Sequence, residues 1–122
     1  EKATELGVSV IQPVWTERSE RRQPKEDRWS RVMVAALKQS QQLWLPELRP
    51  SRSFKDVVVE GWPPGSIAAV AHCLTLDGPS GSKPHLQNVL KPGVASWVAI
   101  GPEGDFSPAE VMSVEEEGGL GV

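Results

Sequence analysis

The sequence predicts an α/β domain with a mostly parallel sheet and helices on both faces. Residues 67–74 and Ser96–Ile100 are short apolar runs without alternation, which are typical of strands buried on both sides of a parallel sheet. Helical and extended patterns alternate along the 122 residues. Because such alternation is typical of strands joined by helical crossovers, it favours one parallel α/β domain.

The first elements follow from apolar spacing and breaker residues. Residues 1–6 predict the end of a helix, with Gly7 as its C-terminal cap, and residues 8–14 predict one strand. Residues 16–23 predict a polar loop. Pro24 then opens a helix that runs to about Gln42.

This second helix carries an apolar stripe that we expect to face the core. Five of its residues recur at the spacing i, i+3, i+4, i+7 and i+8: Trp29, Val32, Met33, Ala36 and Leu37. Gln39 lies beside the stripe, so we expect its amide to face the core or the edge of a pocket.

The middle of the chain is less regular. Residues 45–49 predict a short extended piece, and residues 54–59 fit a short helix or a strand equally well. Residues 77–82 have the composition of a flexible loop. The five tryptophans show no regular spacing, and we expect most of them in the core or an interface.

A glycine-rich loop is the strongest candidate for a ligand site. Gly101-Pro102-Glu103-Gly104-Asp105-Phe106 follows the predicted strand Ser96–Ile100. Ser107, Pro108 and Glu110 are then spaced as N-cap, first helical residue and third helical residue of a capping box. Ligands bind α/β sheets at such strand-to-helix loops, and two glycines allow close backbone approach. A tight turn without a ligand is the alternative.

Composition excludes several classes of site. The single Cys73 excludes a disulfide framework, and one cysteine with two histidines gives no metal site. No apolar run reaches the roughly 20 residues of a membrane helix, so we expect no membrane partner and a cytoplasmic location, or an organellar one in a eukaryote.

The net charge is -3, and the charge-mixed region around Arg18 to Arg31 is interpreted as a solvated face or an RNA contact. For His72, the sequence favours a position in the core over a catalytic role.

Ordered blocks across nearly the whole chain resemble the RsmE-like family of 16S ribosomal RNA uridine-N3 methyltransferases. The matching blocks are Lys2-Ala3-Thr4-Glu5-Leu6-Gly7-Val8, Pro13, Glu17-Arg18-Ser19, Trp29, Ala35-Ala36, Gln39-Ser40, Pro46-Glu47-Leu48, Ile100-Gly101-Pro102-Glu103-Gly104, Phe106-Ser107 and Glu110-Val111. The resemblance implies the SPOUT fold with a C-terminal trefoil knot, S-adenosylmethionine as cofactor, ribosomal RNA as substrate and a homodimer.

The resemblance also implies roles for particular residues. Two of the three cofactor-binding loops correspond to Ala71-His72 and to Ile100, Gly101, Pro102, Glu103 and Gly104. Arg18, Ser19 and Gln39 are expected to contact RNA, and Glu17 with Arg18 are the candidate catalytic residues. The sequence does not choose between Glu17 and Glu103 as general base.

The chain departs from the family at several points. We expect residues 1–122 to be a partial domain that lacks the N-terminal RNA-binding barrel, the third cofactor loop and the final knot helix, and that binds cofactor weakly or not at all by itself. Asp105 replaces a family glycine, and the residues around Gln39 differ. An inactive relative that binds RNA or a partner, and an unrelated small-nucleotide-binding α/β module, are therefore the alternative functions.

Overall fold

The structure is a computed structural model that describes residues 1–19, 25–74 and 83–122. The described residues form two compact units. The first unit contains residues 1–15 and 25–52, and the second contains residues 16–19, 53–74 and 83–122. The predicted flexible loop at 77–82, the last part of the predicted polar loop and Pro24 lie outside the described residues. No helix in the described ranges is long and apolar enough to cross a membrane.

The first unit is built around one long helix. Its elements, in chain order, are α1 (Lys2–Glu5), β1 (Val10–Ile11), β2 (Val14–Trp15), α2 (Glu26–Ser40) and β3 (Glu47–Leu48). Strands β1 and β3 pair in parallel, with Val10 opposite Glu47. Arg52, where β4 (Arg52–Ser53) begins, donates its backbone N–H to the carbonyl of Pro13 at 3.1 Å.

The predicted stripe on α2 is confirmed. Met33 and Ala36 are buried, and the other three stripe residues are half-buried. Gly7 has a φ of +75° and ends α1 as expected. The single strand predicted over residues 8–14 is wrong, because two short strands, β1 and β2, occupy this stretch. The predicted extended piece at 45–49 contains β3.

The second unit has a three-stranded parallel sheet. Its elements are α3 (Phe54–Glu60), β5 (Ile67–Ala71), α4 (Leu86–Val89), β6 (Ser96–Ile100), α5 (Pro108–Glu116) and β7 (Leu120–Gly121). The strand order is β6-β5-β7, and both pairs are parallel. The prediction of an α/β fold with a parallel sheet is therefore confirmed.

Aromatic and aliphatic side chains form the core of this unit. The rings of Phe54, from α3, and Phe106 lie 4.7 Å apart between centroids, and both residues are almost fully buried. Val111 and Val114 bury one side of α5. Since truncating a buried phenylalanine costs roughly 3–5 kcal/mol, Phe106 fixes the position of the segment that follows β6.

Two expectations for this unit need correction or completion. β6 was predicted to be buried on both faces, but Val98 and Ile100, which lie on one face of the strand, are exposed, while Trp97 and Ala99 on the other face are half-buried. Within the described residues, only one face of β6 is therefore covered. The undecided segment 54–59 is helical because the Ser53 side chain caps α3 and accepts the Asp56 amide at 3.0 Å.

The tryptophans are less buried than expected. Trp44 is 82% exposed, and the other four are half-buried rather than fully enclosed. Trp62 and Trp97 in the second unit contact each other, with ring centroids 6.2 Å apart. The expectation of core positions is therefore met only in part, and an interface position for Trp44 stays a prediction.

Candidate functional site

The carboxyl ends of β5 and β6 lie side by side. Ala71 is paired with Ile100, so the residues that follow each strand start at the same edge of the sheet. β7 pairs with the other side of β5, and the His72 amide donates to the carbonyl of Val122 at 3.3 Å. The structure therefore brings together the two segments predicted to bind a cofactor, Ala71-His72 and residues 100–104.

The glycine loop has a defined conformation. The Asp105 amide donates to the carbonyl of Pro102 at 2.9 Å, and Asp105 has a φ of 62°. The predicted capping box is present: Ser107 accepts the Glu110 amide, and Glu110 accepts the Ser107 amide at 2.9 Å. Residues 101–107 therefore form a fixed connection between β6 and α5.

The structure explains why a glycine is needed at one of the two loop glycines but not at the other. A Cβ at Gly101 would lie 3.1 Å from two ring atoms of Phe106, so packing inside the chain explains that glycine. A Cβ at Gly104 would lie 3.6 Å from the Cβ of Arg18, an ordinary contact, and Gly104 does not have a positive φ. Neither crowding nor backbone conformation within the described residues requires a glycine at position 104.

Exposed groups of different chemistry flank this loop. Ile100 is 77% exposed at the end of β6, and the carboxylate of Glu103 is exposed in the loop itself. An exposed apolar side chain next to peptide groups suits the face and edge of a flat heterocycle. The carboxylate suits a hydroxyl or a cation.

The side chain of Asp105 joins the glycine loop to the segment that follows β5. Asp105 accepts the Cys73 amide on Oδ2 at 2.7 Å and the Phe106 amide on Oδ1 at 2.8 Å. Burial alone would raise the pKa of the Asp105 carboxyl, but the two amide hydrogen bonds, with His72 and Lys83 nearby, lower its pKa below the ordinary value. Asp105 is therefore a carboxylate at neutral pH.

His72 is buried at the end of β5. Burial lowers its pKa, and the nearby Lys83 ammonium lowers it further, so the ring is neutral at pH 7. Lys83 Nζ lies 3.2 Å from His72 Nδ1 and also donates to the His72 carbonyl. Since an ammonium only donates, Nδ1 accepts and the ring proton lies on Nε2, which is buried without a hydrogen-bond partner. This agrees with the core position predicted for His72.

The predicted substrate loop contacts the glycine loop. Arg18 Nη1 donates to the carbonyl oxygens of Gly104 at 2.9 Å and Phe106 at 3.4 Å. The Glu17 amide donates to Glu110 Oε1 at 2.9 Å, while the Glu17 side chain is exposed. The sequence did not predict these bonds, through which Arg18 holds the loop expected to bind cofactor.

The remaining RNA candidates have different environments. The Ser19 hydroxyl accepts the Thr16 amide at 3.0 Å and shapes its own turn. Gln39 was expected to face the core or a pocket edge, but it is exposed on α2, because it falls outside the buried arc that Met33 and Ala36 define. A separate surface depression in the first unit is lined by charged side chains at the start of α2: Lys25, Glu26, Asp27, Arg28 and Arg31.

Sequence reasoning missed two members of the site. Lys83 follows a stretch with no pattern, so nothing in the sequence indicated its bonds to His72. The sequence marked Asp105 only as a replacement for a family glycine, and the contact of Asp105 with Cys73 spans 32 residues. Among the described residues, no group of three or more His, Cys, Asp or Glu side chains is placed to hold a metal ion.

The described residues thus include neighbouring parallel strands of an α/β fold, with a candidate ligand site at their carboxyl ends. Residues 1–122 match the RNA methyltransferase domain family over their whole length. The chain therefore belongs to this family, as its sequence blocks predicted.

Individual relatives agree. Ribosomal RNA small subunit methyltransferase E from Synechocystis is 32% identical over 111 residues, which are 88% of this chain and 35% of the relative. A probable rRNA methyltransferase from Porphyromonas gingivalis superposes with a TM-score of 0.79 at 30% identity, over 99% of this chain and 49% of its own. Ribosomal RNA small subunit methyltransferase E from Neisseria gonorrhoeae, in a crystal structure with S-adenosyl methionine, superposes with a TM-score of 0.79 at 25% identity, again over 99% and 49%. The chain thus spans between a third and a half of these relatives.

Proposed function

We propose that the protein containing this chain methylates N3 of a uridine in 16S ribosomal RNA and uses S-adenosylmethionine as methyl donor. The observation that carries the proposal is the open environment of Gly104. This glycine lies at the strand-end edge of the sheet, and nothing in the described residues around it requires a glycine. Close approach of a ligand to the loop backbone supplies the missing reason. Family membership and the cofactor-bound relative from Neisseria support this choice of ligand.

The residues at the strand ends fit the proposed cofactor. The exposed Ile100 side chain offers an apolar surface for the adenine ring, and the peptide groups of residues 101–104 offer donors and acceptors for its edge. The exposed Glu103 carboxylate suits the ribose hydroxyls or the positive charge of the donor. Ala71 and His72 would form the other side of the site, since Ala71 is paired with Ile100.

The bound cofactor would supply an electrophilic methyl group, and the chain's own residues supply position and proton transfer. N3 of uridine carries a proton that must leave when the nitrogen is methylated. Glu17 and Glu103 both have exposed carboxylates in the second unit, and either can accept that proton. Most of the remaining contribution is orientation of two reactants at a fixed distance.

Arg18 joins the substrate and cofactor sides of the proposed site. Its Nη1 binds the carbonyls of Gly104 and Phe106, so one arginine holds the predicted RNA loop on the predicted cofactor loop. The other guanidinium nitrogens provide further donors suited to phosphate or uracil carbonyls. Gln39, which is exposed, and Ser19, which is half-buried, remain candidate RNA contacts. A homodimer is part of the same proposal.

Methylation of defined RNA tests the proposal. The intact protein is incubated with small ribosomal subunits that lack base methylation and with S-adenosylmethionine carrying a labelled methyl group. Nucleosides from the digested 16S RNA are then separated by mass spectrometry. We expect label only in 3-methyluridine, and a Gly104→Val variant should give much less. Label in a different nucleoside would refute the proposed target, and no label with any ribosomal RNA would refute the activity.

A further inference from the structure

Asp105 occupies a conformation that most residues avoid. Its φ of 62° lies in the left-handed region, and within the described ranges the only other non-glycine residue with a positive φ is Gln41. Aspartate tolerates this region better than most side chains, but glycine enters it without penalty. A residue other than glycine at this turn therefore needs a compensating contact.

The contact is a pair of hydrogen bonds to backbone amides. Cys73 follows β5, and Phe106 is the last residue of the glycine loop after β6. Each donates its amide to one oxygen of the Asp105 carboxylate, at 2.7 and 2.8 Å. Hydrogen bonds to a charged acceptor are stronger than neutral ones. A glycine at position 105 could make neither bond.

The end of β5 has a further contact besides the one with Asp105. Lys83 donates to the carbonyl of His72, one residue before Cys73, so the end of β5 is fixed from both sides. The titratable groups near the Asp105 carboxylate are His72 and Lys83, and both lower its pKa.

We propose that Asp105 is a positioning residue that ties the end of β5 to the glycine loop and so fixes the two halves of the cofactor site relative to each other. This inference rests on the proposed function for the identity of the ligand. Asp105 need not touch the cofactor. It acts through Cys73, whose amide it holds, and through Phe106, whose ring closes the core below the loop.

Three variants of the intact protein test the proposal. Asp105→Gly removes both bonds but relieves the backbone, so the unfolding midpoint should stay close to that of the wild type. Asp105→Asn keeps the turn and one acceptor oxygen. Asp56→Asn, at an exposed aspartate of the same unit, is the matched control for loss of charge.

Two measurements are made on each variant: amide hydrogen exchange at Cys73 without ligand, and affinity for S-adenosylmethionine by calorimetry. For Asp105→Gly we expect exchange to be about tenfold faster and affinity about tenfold weaker, the order lost with one strong hydrogen bond. Asp105→Asn should lie between the two, and Asp56→Asn should match the wild type.

The outcomes separate this inference from the proposed function. Faster exchange with unchanged affinity would overturn the positioning role and leave the function standing. A loss of affinity that only parallels a loss of folded protein would also overturn it. If the wild type binds no S-adenosylmethionine, the proposed function fails. The exchange rates then decide whether Asp105 joins the loops, with unchanged exchange counting against it and faster exchange supporting it.

Discussion

Replacing each glycine of the loop by alanine should separate a packing role from a ligand role. At Gly101 the new Cβ would meet two ring atoms of Phe106 at 3.1 Å and its amide nitrogen at 3.3 Å. Phe106 is fully buried and packed on Phe54, so it has little room to yield. Overpacking of this kind costs about 1–3 kcal/mol, so Gly101→Ala should lower the free energy of unfolding by that amount.

Gly104→Ala should behave in the opposite way. Its Cβ would make ordinary contacts of 3.6 and 3.8 Å with Arg18, and the free energy of unfolding should change by no more than about 0.5 kcal/mol. Affinity for S-adenosylmethionine should nevertheless fall, and Gly104→Val should weaken it by about tenfold or more, which is about 1.4 kcal/mol. The added methyl groups would keep the ligand away from the loop backbone.

Urea unfolding and calorimetric titration of the intact protein give both quantities for each variant. The expected pattern is a stability loss for Gly101→Ala and an affinity loss without stability loss for the Gly104 variants. Wild-type affinity in Gly104→Val would refute the location of the cofactor site. Wild-type stability in Gly101→Ala would refute the packing explanation for that glycine.

Three further predictions concern polar groups of the second unit. Arg18→Ala should lower both RNA methylation and cofactor affinity, since Arg18 binds the Gly104 carbonyl; methylation assays with calorimetry would show this, and loss of methylation alone would contradict it. Glu110→Ala removes the acceptor of the Glu17 and Ser107 amides and should lower the free energy of unfolding, measured in urea, by about 1–2 kcal/mol. Glu116→Ala, at an exposed glutamate of the same helix, should leave it unchanged, and equal stability of the two variants would contradict the capping role of Glu110. The free energy of unfolding should fall as the pH drops below the ordinary histidine pKa of 6.5, because the pKa of His72 is lower in the folded state than in the unfolded state. His72→Gln should therefore reduce the change in the urea midpoint between pH 7.5 and 5.5, whereas His85→Gln, at an exposed histidine, should leave that change as it is in the wild type.

Local sequence rules predicted the elements whose signals are contained within a few residues. The capping box of α5 depends on Ser107, Pro108 and Glu110, which are close in sequence, and it formed as predicted. The buried arc of α2 follows from helical spacing alone. The strand-end position of the glycine loop follows from parallel pairing, which brings Ala71 next to Ile100.

Features that depend on distant contacts were not predictable in this way. Burial of β6 was overestimated, because an apolar run does not show whether both faces of a strand are covered, and within the described residues Val98 and Ile100 lie on an uncovered face. The bonds from Arg18 to Gly104 and from Asp105 to Cys73 join residues 86 and 32 positions apart, and no periodicity encodes them. Gln39 was misplaced because it lies at the margin of the apolar stripe, on the side of Ala36 that faces away from Met33, and burial does not extend that far.

The most direct test of the account is amide hydrogen exchange of the intact protein with and without S-adenosylmethionine, read residue by residue. We predict that the ligand slows exchange at residues 71–73 and 100–106 and leaves the charged depression at Lys25 and Arg31 unchanged. Protection that avoids residues 100–106, or that centres on the start of α2, would contradict the claim that the cofactor binds at the ends of β5 and β6.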